Sequence, residues 1–544
     1  MIKPNWIKEK GYLHISPSLK LGENWKYYKK NIEDPTFVKS YAFYPLIHNI
    51  IKERKYKKGD SFKNSSTKRK HSHYNLETNK PEKSHKIRPL HYAGHMDALI
   101  YSYYSELLNK LYEDKLTANP LLDDCINAYR KILIENSDKG KSTIHFAKET
   151  FSEIEKRATS AEVCVLTFDL KSFFSSIDHQ YLKEKWQWLL NTKKLPDDHY
   201  NVFKSCTKFK YILLDDLRKF GRQNKNKRNT FDESKLAKIR REKGFKCFFE
   251  SNIEFRKSIK EGQLRIYENP FYRAEDYKKI QIGIPQGLPI SATLANLYLY
   301  DFDLSIVENF VRPKNVYYRR YSDDIIIICD IKDANEIEDY INKLIEKSKV
   351  EISKHKTERF IFRFVEYSPL HSKRRLTSFK IKNFEDNQTI EKHAPLIYLG
   401  FEYRGYNTVI KSSNLSKYYR RIISITKRRC RRANKLMLKD PQSKRAIFVN
   451  QIRKLYNKPL KINDSDKTEI SKLNRRRYSL TKNERGFYEF SHKEFSKKHN
   501  SNYYSYIQRC SNIFNNDIFL NQIRKRRHIV HQTISKNLDK NKII

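Results

Sequence analysis

The stretch "YYRRYSDDIIIICD" (residues 317–330) decides the fold, because it places two adjacent carboxylates in front of four isoleucines. A run of β-branched residues predicts a buried strand. The Ser-Asp-Asp sequence before it has two interpretations. Asp is a good turn residue, so Asp323 and Asp324 can simply close a hairpin. The alternative is that these acids hold metal ions at the end of the strand, and evidence from the rest of the chain is needed to choose.

The basic excess is the strongest compositional feature of the 544-residue chain. Lys and Arg total 111 against 63 Asp and Glu, so the formal net charge is +48. A charge of this size indicates a polyanionic partner, nucleic acid first and an anionic membrane surface second. No apolar run of about 18 residues is present to span a membrane. The N-terminal sequence "MIKPNWIKEKGYLHIS" lacks the apolar region of a signal peptide, which favours the cytoplasm.

The chain has seven cysteines at irregular spacing, and none forms a C-x-x-C pair. The odd number and the spacing argue against both a disulfide framework and a zinc knuckle. We therefore expect buried free thiols.

Apolar periodicity predicts most of the regular elements. Helices are predicted at residues 96–112, 125–135, 141–158, 179–191 and 334–350. The run "AEVCVLTFDL" (161–170) predicts a buried strand that ends at Asp169. The Gly/Pro loop that begins at residue 283 is expected to lead into a long amphipathic helix, and residues 396–405 are expected to form a second hairpin.

The C-terminal quarter of the chain is basic and is predicted to be mostly helical. Residues 411–544 contain 35 Lys and Arg against 9 Asp and Glu, a net charge of +26. Within them, "YYRRIISITKRRCRRANKLM" (418–437) has apolar residues on one side and basic residues around the rest. A solvated helix face is the simple interpretation, but the charge density favours a surface that faces phosphates. Its candidate contact residues are Lys427, Arg428, Arg429, Arg431 and Arg432.

Asp169 and Asp323 each lie at the end of an apolar strand. If the two strands are neighbours in one sheet, both acids project from the same edge. Carboxylates in this arrangement can bridge two divalent ions for phosphoryl transfer. Sequence spacing alone does not show that the strands pair.

Segments in the expected order resemble the motifs of the reverse-transcriptase family. "TFDLKSFFSSIDH" (167–179), "GIPQGLPISATLANLYL" (283–299) and "YSDD" (321–324) resemble motifs A, B and C. "VEISKHKTERF" (350–360) and "IYLGFEY" (397–403) are similar to motifs D and E. "SHKIRPL" (84–90) is similar to the fingers segment that contacts the triphosphate. The resemblance covers about residues 84–405.

The resemblance implies a metal site. Asp169 and Asp323 would bind two Mg²⁺ ions directly, with Mn²⁺ as a substitute. Asp324 would support them from the second position of the box, and the carbonyl of Leu170 would help to hold one ion.

The resemblance also implies a nucleotide site. Phe174 falls on the sugar steric-gate position, although an ordinary core aromatic is the alternative. Gln286 would lie against the incoming nucleotide, Arg88 and Lys86 would hold its phosphates, and Lys356 would lie near the leaving pyrophosphate.

The fold implied is α+β, a right-hand polymerase with fingers, a palm built on an antiparallel sheet, and an α-helical thumb with a C-terminal extension. We expect the N-terminal region and fingers in residues 1–160. The palm is expected in 161–410, with a basic insertion at about 192–280. The basic helical thumb and extension follow in 411–544.

The function implied is RNA-directed DNA synthesis from dNTPs on an RNA template, with a DNA product. Motif B and the Ser of the "YSDD" box look like those of the bacterial unknown-group and abortive-infection reverse transcriptases of antiphage defence, which implies a noncoding RNA partner. Two alternatives remain: a template-independent or protein-primed DNA polymerase of the same fold, and a catalytically idle RNA-binding scaffold. The sequence is compatible with a homo-oligomer and predicts no membrane partner.

Overall fold

The structure is a computed structural model, and it describes most of the chain. The described residues are 2–19, 21–22, 24–54, 85–219, 232–245, 247–275, 278–352, 357–368, 373–382, 389–439, 452–453, 455–457, 478–482, 488–492 and 501–538.

Helices occur throughout the described ranges. They are α1 (Trp25–Glu33), α2 (Pro35–Ser40), α3 (His95–Thr117), α4 (Pro120–Cys125), α5 (Thr143–Ala158), α6 (Phe173–Ser176), α7 (His179–Leu190), α8 (Asp197–Thr207), α9 (Leu214–Lys219), α10 (Glu233–Lys243), α11 (Asn252–Lys260), α12 (Ser291–Tyr298), α13 (Tyr300–Ile306), α14 (Arg312–Lys314), α15 (Ala334–Lys347), α16 (Ser412–Lys439), α17 (Tyr503–Phe514), α18 (Ile518–Gln522) and α19 (Arg526–Leu538). A π-helical turn covers Val307–Val311 and a 3₁₀ turn covers Ile331–Asp333.

Strands are interspersed with these helices. They are β1 (Leu46–Arg54), β2 (His85–Tyr92), β3 (Val163–Lys171), β4 (Lys210–Leu213), β5 (Tyr267–Glu268), β6 (Tyr272–Glu275), β7 (Lys278–Gln281), β8 (Tyr317–Tyr321), β9 (Asp324–Asp330), β10 (Glu351–Ile352), β11 (Glu358–Ser368), β12 (Lys373–Lys382), β13 (Thr389–Lys392), β14 (Leu396–Tyr398), β15 (Phe401–Tyr403), β16 (Thr408–Ile410), β17 (Tyr478–Lys482) and β18 (Tyr488–His492). Mixed helices and antiparallel sheets confirm the predicted α+β class.

The chain divides into two compact units. The first contains Met1–Arg130 and Val165–Glu358, and the second contains Lys131–Cys164 and Arg359–Ile544. In the helices of the described ranges, no segment combines the length and apolar character needed to cross a bilayer.

Two sheets organise the first unit. In one, the order is β2-β1-β4-β5, with β1 and β4 parallel and the other pairs antiparallel. In the other, β3 lies beside β9, β9 pairs antiparallel with β8, and β10 pairs antiparallel with β3. Strand β9 is buried from Ile325 to Cys329 because its β-branched run has apolar neighbours on both faces.

The second unit combines antiparallel strands with amphipathic helices. Strands β11, β12 and β13 pair in sequence order, and β14, β15 and β16 form a separate three-stranded sheet. Helix α16 packs on α19 through a stripe of buried residues spaced three or four apart: Tyr418, Ile422, Thr426, Cys430 and Ala433. This unit also contains α5, whose Phe151 ring stacks on Tyr403 with 4.4 Å between ring centroids.

Most predicted elements are confirmed, with α3, α5, α7, α15 and β3 at the expected positions. The predicted hairpin at 396–405 is part of the three-stranded sheet, and Gly405 lies in its second turn. All seven cysteines are buried and none forms a disulfide, as expected. The predicted helix at 125–135 is wrong, because α4 ends at Cys125 and the backbone then forms bridges and turns.

Candidate active site

The two adjacent acids lie at a tight hairpin between β8 and β9. Tyr321 pairs with Asp324, so Ser322 and Asp323 form the turn itself. Ser322 is buried and has a φ of 60°, a left-handed conformation that is uncommon for a residue with a Cβ. Asp323 is partly buried and Asp324 is exposed. The acids therefore do close a hairpin, and that geometry leaves both carboxylates at the end of the buried strand.

Strand β3 brings Asp169 to the same place. The backbone N–H of Leu170 donates to the carbonyl oxygen of Asp323 at 3.1 Å. Asp169, which is partly buried, directly precedes this bonded residue. On β10, Ile352 is the register partner of Leu170. The pairing that the sequence alone did not show is thus present in the structure.

The donors available here suit a hard divalent cation. Across the described ranges, no group of three or more His, Cys, Asp or Glu side chains is arranged to hold a metal ion unaided. Asp169 and Asp323 carry carboxylate oxygens, and Leu170, whose N–H bonds to the carbonyl of Asp323, carries a backbone carbonyl. Mg²⁺ is usually bound by one or two carboxylates together with substrate phosphates and water. The residues present therefore fit ions that are completed by a bound nucleotide.

A Gly/Pro loop packs against the segment that follows β3. The N–H of Gly283 donates to the carbonyl of Ile177 at 2.7 Å, and the N–H of Ile284 donates to the carbonyl of Phe174 at 2.8 Å. A Cβ at Gly283 would lie 2.7 Å from the carbonyl oxygen of Ser175, and its φ is +78°. Only glycine fits this approach. Phe174 is partly buried, and its backbone is held by the loop.

The same loop also bonds to strand β2. The N–H of His91 donates to the carbonyl of Gln286 at 2.9 Å. Gly287 has a φ of +116°, and a Cβ there would lie 2.8 Å from the carbonyl oxygen of His91. Gln286 is therefore fixed next to the strand that carries the exposed Arg88.

Buried polar side chains hold the loop in place. The amide of Asn269 donates to the carbonyls of Thr207 and Ile282, each at 2.9 Å. The Nε2 atom of His179 lies 2.8 Å from the carbonyl oxygen of Gly283. Burial lowers the pKa of His179, so its neutral ring donates this bond from Nε2.

A fully buried ion pair lies directly behind the turn. Arg320 and Asp303 are each 0% exposed, and the Nη2 atom of Arg320 lies 2.6 Å from the Oδ2 atom of Asp303. The hydroxyl of Tyr318 donates to Asp303 at 2.5 Å, and Arg320 also donates to the carbonyl of Ser322 at 3.3 Å. Despite its burial, the pKa of the Arg320 guanidinium is raised by the Asp303 carboxylate. The pair stays charged and fixes the backbone beside Asp323.

The structure brings several of the predicted site residues together. The backbones of Leu170 and Asp323 are bonded, and Asp169 and Asp324 are each one residue from this bond in the chain. The loop of Gln286 bonds to the backbone of Phe174 at one end and to β2 at the other. Lys86 lies on β2, but its side chain is outside the described residues, as is the whole of Lys356.

The predicted basic cluster lies on α16 in the second unit. Arg429 is partly buried, and the rest of the cluster is exposed: Lys427, Arg428, Arg431 and Arg432. Of the buried stripe of the helix, Cys430 lies between them in sequence, and Thr426 and Ala433 flank them. The predicted division into an apolar and a basic face is therefore present.

The sequence interpretation missed the polar residues that hold the loop and the turn in place: His179, Asn269, Asp303 and Arg320. One of them had a readable signal. In "YYRRY", strand alternation places Arg320 on the same face as Tyr318, toward the core. A charged residue at an inward position needs a buried partner.

Comparison with known proteins gives one family match. Residues 236–403 match the family model described as reverse transcriptase (RNA-dependent DNA polymerase). This range includes Gln286, Asp323 and Asp324 but begins after Asp169. The match supports a nucleotidyltransferase of the reverse-transcriptase type. No curated protein sequence matches the chain.

Solved structures give distant similarities. Apo telomerase from Candida tropicalis, truncated from the C-terminal domain, is 12% identical over 60% of this chain and 52% of that one, with a TM-score of 0.32. Telomerase from Candida albicans in complex with a TWJ fragment of telomeric RNA is 10% identical over 74% of this chain and 53% of that one, with a TM-score of 0.33. The chain spans about half the length of these structures.

Proposed function

We propose that the protein is an RNA-directed DNA polymerase that makes cDNA from dNTPs by two-metal nucleotidyl transfer. The observation that carries this proposal is the backbone hydrogen bond from the N–H of Leu170 to the carbonyl of Asp323, which supports a shared metal site for the acids of two distant motifs. The family match over residues 236–403 supports the same chemistry.

The residues near this bond are proposed to bind the metal ions and to position the nucleotide. Asp169 and Asp323 hold the metal ions, with Asp324 and the carbonyl of Leu170 in support. When bound, two Mg²⁺ ions, or Mn²⁺ in their place, stabilise the charge on the attacking 3′-oxygen and on the leaving pyrophosphate. Gln286 positions the nucleotide, because its loop is rigidly bonded to neighbouring backbone.

Other residues are proposed to bind and select the substrate. Phe174 excludes the 2′-hydroxyl of ribonucleotides, because its backbone is anchored and its ring is partly exposed. Arg88, with Lys86 and Lys356, binds the phosphates. The basic face of α16 binds the RNA backbone through Lys427, Arg428, Arg429, Arg431 and Arg432.

In this proposal the fingers, palm and thumb are residues 1–160, 161–410 and 411–544. We also propose a cytoplasmic location, since RNA and dNTPs are available there. The antiphage role rests on the resemblance of motif B and of Ser322 in the "YSDD" box. It predicts that cells carrying the gene lower phage plating and that the D323N variant abolishes this protection.

Nucleotide incorporation tests the polymerase function. The purified protein is supplied with a primed RNA template, a primed DNA template or no template, and with dNTPs or NTPs in turn. We expect DNA synthesis on the RNA template with Mg²⁺. Synthesis without any template would instead favour the template-independent alternative, and RNA binding without incorporation under any condition would favour the idle scaffold.

A further inference from the structure

We infer that the segment Ile126–Arg130, here called the clamp segment, positions the catalytic turn through the hydroxyl of Tyr129. The inference rests on the proposed polymerase function. The clamp segment lies outside the family-matched region and outside all the motifs that resemble those of reverse transcriptases. Tyr129 is a positioning residue, because it contacts the turn and not the reacting atoms.

The contact joins two strained residues. The hydroxyl of Tyr129 lies 2.9 Å from the Oγ atom of Ser322. Tyr129 has a φ of 64° and Ser322 has a φ of 60°, both in the left-handed region. Side chains with a Cβ adopt this conformation at a cost, and such strain persists only where neighbours enforce it. Ser322 directly precedes Asp323, so its conformation sets the direction of that acid.

The clamp segment is tied to the strand that leads into the turn. The N–H of Asn127 donates to the carbonyl of Arg320 at 3.0 Å, and Ile126 forms a parallel bridge with Arg320. The amide of Asn296 on α12 donates to the carbonyl of Ala128 at 2.9 Å. The three residues that precede Tyr129 are therefore fixed by contacts with β8 and α12.

Arg130 anchors the other end of the segment. Its side chain is 5% exposed and is paired with Glu113 and with Asp123. It also donates to the carbonyl of Ile126 at 2.9 Å, and this bond joins the last residue of the clamp segment to the first. The pKa of the guanidinium is raised, because these carboxylates outweigh the effect of burial. The charged anchor fixes where the phenol of Tyr129 points.

The partial exposure of Tyr129 allows its effect on the catalytic turn to be measured separately from its effect on the stability of the fold. Tyr129 is 47% exposed as a residue, and its partner Ser322 is buried. Tyr129→Phe keeps the aromatic ring and its apolar contacts and removes one hydrogen bond, which is a small part of the stability of a folded domain. A rate effect from removing this hydroxyl would therefore report the placement of the turn and not the integrity of the fold.

The test compares Tyr129→Phe with the matched control Tyr44→Phe. The hydroxyl of Tyr44 makes a bond of the same length, 2.9 Å, to the side chain of Asn252, away from the catalytic turn. We expect Tyr129→Phe to lower kcat by about tenfold, which corresponds to about 1.4 kcal/mol. The KM for dNTP should change little, and the Mn²⁺ concentration for half-maximal binding, measured by electron paramagnetic resonance, should rise. Tyr44→Phe should match the wild type in each measurement.

A double variant isolates the contact. If the hydroxyls act through each other, Tyr129→Phe combined with Ser322→Ala should be no slower than the slower single variant. Additive losses in the double variant, or equal rates and equal Mn²⁺ binding for Tyr129→Phe and Tyr44→Phe, would overturn the clamp alone. A wild-type protein that neither extends a primer nor binds Mn²⁺ would overturn the proposed function, and the clamp with it.

Discussion

The backbone N–H of Leu170 bonds to the carbonyl of Asp323 at 3.1 Å, although the two residues are far apart in the chain. This one bond aligns the end of β3 with the turn between β8 and β9. Asp169, which precedes Leu170, therefore lies one residue from the backbone bond to Asp323. The first prediction follows from this alignment.

Replacing either acid should abolish nucleotide incorporation. Asp169→Asn and Asp323→Asn keep the shape of the side chain but remove the charge that holds the metal ions, and electrostatic stabilisation is a dominant part of such catalysis. We expect incorporation to fall at least about a hundredfold. Asp330→Asn is the control, because Asp330 lies exposed at the far end of β9. Near-normal rates in either test variant would rule out the two-metal assignment.

RNA binding should depend steeply on salt, because α16 is densely basic and residues 411–544, to which it belongs, carry a net charge of +26. Changing Lys427, Arg428, Arg429, Arg431 and Arg432 to Gln should reduce the slope of log affinity against log salt by about 0.7 for each phosphate that is no longer neutralised. The measurement is fluorescence anisotropy with a labelled RNA over a salt series.

The control for this series is Lys343→Gln with Lys347→Gln on the acidic helix α15, where both lysines are exposed. We expect its slope to equal that of the wild type. If the α16 variant also keeps the wild-type slope, that face of the helix does not contact RNA.

The buried pair behind the turn should be important for stability. Arg320→Met leaves Asp303 buried without its cation, and breaking such a pair typically costs about 3–5 kcal/mol. Denaturant unfolding should show this loss, and adding Asp303→Leu should restore part of it. Lys39→Met removes one partner of the exposed pair with Asp197 and should have no measurable effect. A small loss in Arg320→Met would mean that water reaches Asp303.

Stability should fall as the pH is lowered from about 6.5. Burial lowers the pKa of His14 and His91 to about 3, so the unfolded chain binds more protons than the folded one between those values. Burial raises the pKa of Asp97 from 3.8 to about 7, so this group acts in the opposite direction. The two histidines add two protons to the unfolded chain, and Asp97 adds one to the folded chain. The unfolded chain therefore binds one more proton in total, and these three groups lower the free energy of unfolding by about 1.4 kcal/mol for each pH unit of acidification.

The variant Asp97→Asn tests the contribution of Asp97 to this pH dependence. It removes the group whose stabilisation is lost as the pH rises through about 7, so the remaining slope should become steeper. The measurement is the free energy of unfolding at several values between pH 5 and about 7. An unchanged slope would show that Asp97 titrates near its ordinary value in the folded state.

Local patterns in the sequence were sufficient to find β3, which carries Asp169 and runs two residues beyond it, and β9, which begins directly after Asp323, because β-branched runs have a strong local signal. The bond between Leu170 and Asp323 was not predictable from spacing, since pairing is a property of the folded chain. The clamp segment is the clearest case of a structure that local sequence patterns did not predict. Its flanking apolar residues have helical spacing, yet the N–H of Asn127 is bonded to Arg320 on a distant strand, and this tertiary contact overrides local propensity.

Phe174 should set the preference for deoxynucleotides. Of the two adjacent aromatics, Phe173 is 3% exposed and contacts the ring of Tyr298, whereas Phe174 is partly exposed and its carbonyl accepts from Ile284. An anchored ring below the 2′ position rejects a hydroxyl by collision. Steric exclusion from a rigid pocket can discriminate more strongly than the loss of a favourable apolar contact, which is worth about 1–3 kcal/mol. We therefore expect Phe174→Ala to raise kcat/KM for ribonucleotides relative to deoxynucleotides.

The measurement is single-nucleotide incorporation on one primed template with each sugar, by wild type and variant. Phe173→Leu is the control, because it keeps an apolar side chain in the core and should leave the sugar preference unchanged. A wild type that uses both sugars equally would contradict the gate and the DNA-polymerase function together. A selective wild type whose preference survives Phe174→Ala but is lost in Phe173→Leu would move the gate to Phe173, one position earlier in the motif.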